Sequence, residues 1–343
     1  MVKNLALVSL SCGLLGEESL RHEIQPGLQR LKDMGLSIKI MPHAMKGIQY
    51  TEEHPEDRAQ DLLDAFADGN TDMILCAIGG DDTYRLSPWL FDHDELKKVI
   101  SNKIFLGFSD TTINHLMLHK MGLNTFYGQA FIPDICELAK DMLPYTRRYF
   151  EELITTGRIA EIRPSDVWYE ERTDFGPDAV GTDRISHENH GFELLQGNPV
   201  FSGKILGGCI ESMCDLFCTD RYPDTAEKNE RYQLFPPTED WKGRILLLET
   251  SEEQPEPEYY RRMIRMLKER GIFDAVNGVL CGKPMDEKYD TEYRKIIVEE
   301  VNDPELPILA NINVGHATPR CIIPMGVPAT VDAKEQVIRF RYE

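Results

Sequence analysis

Short apolar runs alternate with polar stretches of helical length over residues 1–156. The runs LALVSL, LSIKIM, MILCAI and KIFLGF are typical of buried strands, and helical patterns accompany them near residues 17–34, 51–68 and 111–120. Strands that alternate with helices in this way favour a parallel sheet that is covered on both faces. The pattern therefore predicts an N-terminal α/β domain.

The pattern changes after this domain. Residues 157–199 are polar and show no clear period, which is typical of a linker or a functional loop. Apolar runs return in residues 200–343 as GRILLLE, AVNGVLCG and PILANINV, with an amphipathic helix near 257–270 and an alternating pattern at the end. We predict a smaller, mixed and β-rich C-terminal domain here, closed by an antiparallel edge hairpin.

The charge of the chain excludes several classes of protein. The 343 residues carry a formal net charge of −20, and no run of Lys and Arg forms a basic stripe. Since a phosphate backbone or an anionic membrane surface would be repelled, we expect neither nucleic acid nor a membrane as partner. The first apolar run is soon followed by Glu17 and Glu18, which does not fit a signal peptide, so a cytoplasmic location is expected.

The cysteines indicate neither disulfides nor a metal site. All 8 are scattered along a chain that is long enough to be stable without cross-links, so free thiols are expected. Cys209, Cys214 and Cys218 lack the C-x2-C pair of a zinc site, and their spacing suits a buried helix face. We expect no metal and no other cofactor.

A serine stands where a strand pattern gives way to a helix pattern. In KIFLGFSDTTINHLML, Ser109 would project from the carboxyl end of a parallel sheet, beside a helix N-terminus that favours developing negative charge. The motif is not the full G-x-S-x-G elbow. On local sequence alone, a helix N-cap formed by Ser109 or Asp110 is the favoured alternative to a nucleophile.

Three more segments follow predicted strands. Gly79 and Gly80 could expose backbone N–H groups to an oxyanion, or could form a tight turn that needs positive φ. Glu249 closes a buried run and could orient an imidazole, or could reach solvent from a strand end. His316 lies in a loop between small residues, where a histidine without function is also common. Their order, nucleophile then acid then base, also occurs in other Ser-His-acid hydrolases.

Together, the segments GG (79–80), GFSD (107–110), RILLLE (244–249) and NVGH (313–316) resemble the LD-carboxypeptidase superfamily of serine peptidases. The resemblance covers essentially the whole chain. It implies an N-terminal domain like that of class I glutamine amidotransferases, an active site at the junction with the C-terminal domain, and a homodimer.

The resemblance also implies roles for individual residues. Ser109, Glu249 and His316 would form the catalytic triad, since each matches a motif of the superfamily. Backbone N–H groups of Asp110 and of the Gly80–Asp81 loop would form the oxyanion hole. An acyl-enzyme mechanism then needs no cofactor.

Within the superfamily, the chain is more similar to the branch of microcin C self-immunity proteins than to the murein enzymes. Its glycine loop is GGDDTYRL instead of R-G-G-Y-G, and RPSDVWYEE resembles the substrate loop of the immunity branch. The implied substrate is an aminoacyl- or peptidyl-nucleotide, with Trp168 stacked on the base and Gly79 and Cys209 near the ligand. Cys209 departs from the expected Asn.

Three alternatives remain open at this point. The same triad could cleave a murein tetrapeptide in cell-wall recycling. Amidotransferase-like chemistry would need a cysteine at the position of Ser109. A catalytically silent binding protein on a peptidase scaffold is the third.

Overall fold

The computed structural model describes residues 1–342. Its strands are β1 Asn4–Val8, β2 Ser37–Ile40, β3 Met73–Cys76, β4 Ile104–Gly107, β5 Thr125–Tyr127, β6 Glu161–Ile162, β7 Val167–Tyr169, β8 Ser186–Glu188, β9 Glu193–Gln196, β10 Val200–Cys209, β11 Ile245–Glu249, β12 Gly278–Gly282, β13 Ile308–Ile312, β14 Ile323–Met325, β15 Pro328–Asp332 and β16 Val337–Phe340. Its α-helices are α1 Arg21–Asp33, α2 Ile48–Glu53, α3 Pro55–Ala67, α4 Ser87–Phe91, α5 Glu95–Val99, α6 Thr112–Lys120, α7 Pro144–Thr156, α8 Ile210–Asp215, α9 Thr225–Tyr232, α10 Thr238–Trp241, α11 Pro257–Glu269, α12 Ile272–Ala275 and α13 Asp290–Val301.

The N-terminal half forms a six-stranded sheet in the order β14-β5-β4-β3-β1-β2. The strands from β5 to β2 are parallel, and β14, from the far end of the chain, adds an antiparallel edge beside β5. Every residue of β3 is buried, as a continuous apolar run in a sheet covered on both faces requires. The predicted α/β domain with a mostly parallel sheet is confirmed.

The C-terminal half forms an eight-stranded sheet in the order β6-β16-β15-β10-β11-β12-β13-β9. Its four central strands, β10 to β13, are parallel, and the flanking strands are antiparallel. The predicted mixed sheet is confirmed, although it has more strands than the first sheet. The predicted terminal hairpin is β15 with β16, and β6 covers its outer edge.

Amphipathic helices cover this second sheet. Helix α11 begins with Pro257, which suits the first turn because its missing N–H would have no partner there. Tyr260, Met263, Ile264 and Leu267 recur at helical spacing and are all buried, so one face of α11 packs against the core.

Residues 157–199 are more ordered than their polar sequence predicted. They contain β6 and β9, which join opposite edges of the second sheet, and the hairpin of β7 with β8. These strands are two to four residues long, too short for an alternating pattern to be recognised. The segment is therefore part of the sheet framework and not only a linker.

The carboxyl ends of parallel strands from both sheets meet in the middle of the molecule. Strands β3 and β4 end at the same edge of the first sheet, and β10 and β11 end side by side with Cys209 opposite Glu249. In the described part of the chain, no helix has the length and apolar character needed to cross a membrane.

Candidate active site

Ser109 follows β4 in a strained turn. Its φ is +64°, a left-handed conformation that is uncommon for residues other than glycine and that is held here by surrounding contacts. The Ser109 N–H donates to the hydroxyl oxygen of Tyr127 at 3.2 Å, and the Thr112 hydroxyl donates to the Ser109 carbonyl at 2.6 Å. A Cβ on Gly79 would lie only 2.6 Å from Ser109 Oγ, so the approach of the two loops requires glycine.

Neither Ser109 nor Asp110 caps the following helix with its side chain. Asp110 instead accepts hydrogen bonds from the Ser11 hydroxyl at 2.6 Å and the Thr83 N–H at 2.9 Å. Burial raises the pKa of this carboxyl to about 7. The cap interpretation, favoured on local sequence, is therefore wrong, and the Asp110 carboxyl ties the glycine loop to the turn of Ser109.

Ser109, His316 and Glu249 form a hydrogen-bonded chain. Ser109 Oγ lies 3.0 Å from His316 Nε2, and His316 Nδ1 lies 2.8 Å from Glu249 Oε2. The backbone N–H of His316 also donates to Glu249 Oε2 at 3.2 Å. Glu249 is 2% exposed, so this strand-end carboxylate does not reach solvent. A Cβ on Gly315 would lie 2.2 Å from Glu249 Oε2, which explains the glycine before His316.

Tyr127 supports this chain and was missed by the sequence interpretation. Its hydroxyl donates to Glu249 Oε1 at 2.6 Å. Burial and the nearby charge of Glu249 raise the pKa of Tyr127 well above its usual value, so the hydroxyl stays a donor. Tyr127 could have been found from its position, because it is the last residue of β5 and pairs with Gly107 at the end of β4, two residues before Ser109.

Glu252 is a second residue that the sequence did not single out for the site. Its Oε2 lies 2.9 Å from His316 Nε2, the nitrogen that also faces Ser109. Burial alone would lower the pKa of His316, but Glu249 and then Glu252 raise it to about 10. The hydrogen bond with His316 holds the pKa of Glu252 at about 2. In this arrangement, the imidazole lies between two carboxylates, which favour its protonated form.

The residues predicted for the oxyanion hole surround Ser109. The loop of Gly80 and Asp81 follows β3, and between residues 1 and 342 their backbone N–H groups donate to no other group. The Asp110 nitrogen lies 3.3 Å from the position that a Cβ on Gly79 would take, on the same side as Ser109 Oγ. Gly80, Asp81 and Asp110 line the same pocket as Ser109.

Two pockets of different character open on either side of Ser109. The first, the acidic pocket, is open to solvent and spans about 620 Å³. One arginine, Arg221, and six carboxyl groups line it; the carboxyl groups belong to Asp81, Asp110, Glu211, Asp215, Glu252 and Glu253. Burial raises the pKa of Glu211 to about 7, and the Ser251 N–H and hydroxyl both donate to it at 2.9 Å.

Cys209 lies in the wall of the acidic pocket. Its thiol lies 3.3 Å from Glu211 Oε2, and burial raises the thiol pKa well above its usual value. In residues 1–342, no three His, Cys, Asp or Glu side chains are grouped so that they could hold a metal ion.

The second pocket, the apolar cleft, is open to solvent, spans about 1390 Å³ and includes Gly79, Ser109 and His316 in its lining. Its walls are mainly apolar; they include Leu14, Leu20, Ile78, Phe108, Ile132, Pro133, Leu138, Phe175 and Met285. Its arginines are paired with buried acids: Arg172 and Arg184 donate to Glu137 at 2.6 and 2.7 Å. Pockets of this composition, with few polar groups in apolar walls, are typical of small-molecule sites.

Trp168 lines neither pocket. It lies on β7 with 9% of its surface exposed, and its ring stacks on His187 with a centroid distance of 4.4 Å. Lys283 Nζ lies 5.3 Å from the ring centroid. The aromatic residue from the same loop that does line the apolar cleft is Phe175, which is 47% exposed. No periodic pattern in the sequence indicated this residue.

The strained serine, the buried Ser-His-Glu chain and the unpaired N–H groups define a hydrolase of the serine peptidase class, built on an α/β framework. The sequence also identifies the family within this class. The LD-carboxypeptidase N-terminal domain model matches residues 5–128, and the LD-carboxypeptidase C-terminal domain model matches residues 202–331. The chain belongs to the LD-carboxypeptidase family of serine peptidases.

Several relatives are similar over most of the chain. The microcin C7 self-immunity protein MccF of Escherichia coli is 24% identical over 81% of this chain and 76% of its own. A "probable murein peptide carboxypeptidase" of Bacillus subtilis is 24% identical over 92% of this chain and 85% of its own.

Solved structures show the same fold. An MccF-like protein of Streptococcus pneumoniae, crystallised with AMP, is 60% identical, with a TM-score of 0.99 over 100% of this chain and 99% of that chain. MccF in complex with aspartyl sulfamoyl adenosine is 21% identical, with a TM-score of 0.80 over 100% and 97%.

Proposed function

We propose that this protein hydrolyses the acyl–nitrogen bond of an aminoacyl- or peptidyl-nucleotide through an acyl-enzyme on Ser109. The observation that carries the proposal is the hydrogen-bonded chain of Ser109, His316 and Glu249 at the junction of two unlike pockets. A substrate with an amino-acid part and a nucleoside part presents two unlike ends to these pockets.

The chemistry follows from the positions of the three side chains. With Glu252 displaced and His316 neutral, Nε2 takes the hydroxyl proton as Ser109 Oγ bonds to the substrate carbonyl carbon. Glu249 stabilises the imidazolium that forms. The acyl–nitrogen bond then breaks, and His316 returns the proton to the leaving nitrogen. Water, deprotonated by the same histidine, releases the acid and restores the Ser109 hydroxyl.

The backbone N–H groups of Gly80, Asp81 and Asp110 stabilise the oxyanion in this scheme. Loss of one such donor costs on the order of a hundredfold or more in rate. The distance of 3.0 Å between Ser109 Oγ and His316 Nε2 supports the role of Ser109 as the nucleophile.

The two pockets support an orientation for the substrate. The apolar cleft suits the flat faces of a nucleobase, and AMP is the ligand of the 60% identical S. pneumoniae protein. The acidic pocket then takes the acyl part, whose free α-ammonium group its carboxylates attract. Trp168 as a stacking residue remains a prediction: in this arrangement His187 occupies one face of its ring, and a base would have to replace it.

The test is hydrolysis of two compounds, followed by mass spectrometry. An aminoacyl sulfamoyl-adenosine is expected to be cleaved, and a murein tetrapeptide, the substrate class of the second candidate function, is expected to survive. Cleavage of the tetrapeptide alone would assign the protein to cell-wall recycling, which the B. subtilis relative favours. Cleavage of neither would refute the proposed substrate class.

Ser109→Ala is the matched control. It should abolish turnover and change the free energy of unfolding by less than about 1 kcal/mol, because alanine keeps the Cβ and the same backbone strain. Retained activity with a lowered Tm would contradict a nucleophilic role. Size-exclusion chromatography with light scattering tests the homodimer that the family resemblance predicts.

A further inference from the structure

The apolar cleft contains a buried carboxylate that the catalytic chain does not use. Glu23, on α1, lines the cleft and is only 4% exposed. In the described chain, no group donates a hydrogen bond to either of its oxygens, and Oε1 is fully enclosed without a partner. A buried polar atom without a partner costs about 1–3 kcal/mol, so such an atom in a ligand cleft needs an explanation.

The side-chain donors near Glu23 are engaged elsewhere. His22 Nε2 lies 3.7 Å from Glu23 Oε1, beyond hydrogen-bond distance, and lies 2.8 Å from the carbonyl oxygen of Phe175. Arg172 is held by Glu137 at 2.6 Å. The carboxylate of Glu23 is therefore unsatisfied because of how its neighbours are paired. Its Oε1 is enclosed, so Oε2, which is not enclosed and accepts no hydrogen bond, is the oxygen that a donor on a ligand in the cleft would reach.

Phe175 lies at the same part of the cleft. His22 connects the two residues, since its ring nitrogen lies near the Glu23 carboxylate and bonds to the Phe175 backbone. The Phe175 ring is half-exposed and lines the cleft. An exposed aromatic ring and a carboxylate acceptor between apolar walls match the face and the amino-bearing edge of a nucleobase.

We propose that Glu23 is a specificity-determining residue that accepts a hydrogen bond from the exocyclic amino group of the substrate's nucleobase. This inference rests on the proposed function, because it assigns the nucleoside part of the substrate to the apolar cleft. It adds a selection rule: bases with an amino group at this edge bind, and bases with a carbonyl oxygen there are rejected. The carbonyl oxygen would face a carboxylate with no proton between them.

The test is calorimetric titration of the wild-type protein with AMP, with IMP and with 2′-deoxy-AMP. AMP should bind on the order of 10–100-fold more tightly than IMP, which is the range for a hydrogen bond to a charged group. In Glu23→Gln, this preference should collapse to within a few-fold, because the amide can donate to the IMP carbonyl oxygen. The preference should also disappear in Glu23→Leu, with AMP binding weakened.

Glu18→Gln is the matched control, since Glu18 precedes the same helix, is exposed and pairs with Arg21 outside the cleft. It should keep the AMP preference of the wild type. Thermal unfolding should show that Glu23→Gln is folded and at least as stable as the wild type, because an unpaired buried charge has been removed.

The possible failures are distinct. If AMP and IMP bind the wild type equally well and Glu23→Gln changes neither, the assignment of Glu23 is overturned while the proposed function stands. If 2′-deoxy-AMP loses affinity and IMP does not, the carboxylate binds a ribose hydroxyl, and the assignment to the base is overturned. If neither nucleotide binds the wild type, the nucleotide part of the proposed function fails, and this inference fails with it.

Discussion

Removal of the Glu252 charge should change the pH dependence of catalysis. Glu252 Oε2 lies 2.9 Å from His316 Nε2, and the Ser109 hydroxyl lies 3.0 Å from the same nitrogen. Both oxygens compete for one N–H. Because His316 must be neutral to accept the serine proton, a carboxylate that stabilises its protonated form opposes the first step.

The size of the effect follows from the distance and the exposure. The Glu252 side chain is 64% exposed, so its charge is screened nearly as in water. At the dielectric constant of water, two unit charges at this distance interact by about 1.4 kcal/mol, which is about one pKa unit. In Glu252→Gln, the pKa of His316 should therefore fall by about one unit from its raised value.

The assay is the pH profile of kcat/KM, which reports on the free enzyme. The acidic limb of the profile should move about one unit lower in Glu252→Gln, and the rate on that limb should rise about tenfold. The acidic limb of the kcat profile should move less, because a bound substrate would displace Glu252 from His316.

Glu253→Gln is the matched control, because Glu253 lines the same pocket but pairs with Arg221 and not with His316. Its acidic limb should stay within about 0.3 units of the wild type, as expected for a more distant, screened charge. An unmoved limb in Glu252→Gln, or equal shifts in both variants, would refute the direct pairing of Glu252 with the catalytic histidine.

Three further predictions concern the rest of the site. Tyr127→Phe keeps the ring but removes the hydrogen bond to Glu249, so kcat should fall about tenfold or more. Steady-state kinetics would measure the fall, and thermal unfolding should show an unchanged Tm. An unchanged kcat would contradict the role of Tyr127. Because its carboxylates attract a cation, the acidic pocket should give a higher kcat/KM for a substrate with a lysyl acyl group than for one with an aspartyl acyl group. Glu253→Lys should narrow or reverse that preference. A wild-type preference for the aspartyl compound would contradict the assignment of the acyl part to the acidic pocket. Trp168→Ala should raise KM for the nucleotide substrate if the ring stacks on the base, and a rise seen only in Phe175→Ala would transfer that role to the exposed ring.

The sequence determined the layered order of strands and helices in each half. MILCAI and the ILLL of RILLLE are continuous apolar runs, and short runs of this kind are typical of buried strands in a sheet covered on both faces. It also indicated that Ser109, Glu249 and His316 each follow a strand, because the transition from an apolar run to polar or small residues is a local signal.

The tertiary structure decided which of these local signals belong together. Ser109 and His316 are separated by 207 positions in the chain, and no local pattern encodes the contact between their side chains. The cap interpretation of Ser109 failed for the same reason, since the hydroxyl partner comes from the other sheet. Tyr127, Glu252 and Glu23 are unremarkable in sequence and become significant only through burial and pairing.

The segment 157–199 shows most clearly what the sequence pattern could not predict. Its strands are two to four residues long and are stabilised by neighbours from distant parts of the chain, so polarity predicted a loop where the fold has sheet edges and a hairpin. The periodicity of apolar residues indicates which face of a single helix or strand is buried. The contacts between elements, which create the site, depend on the packing of the whole chain.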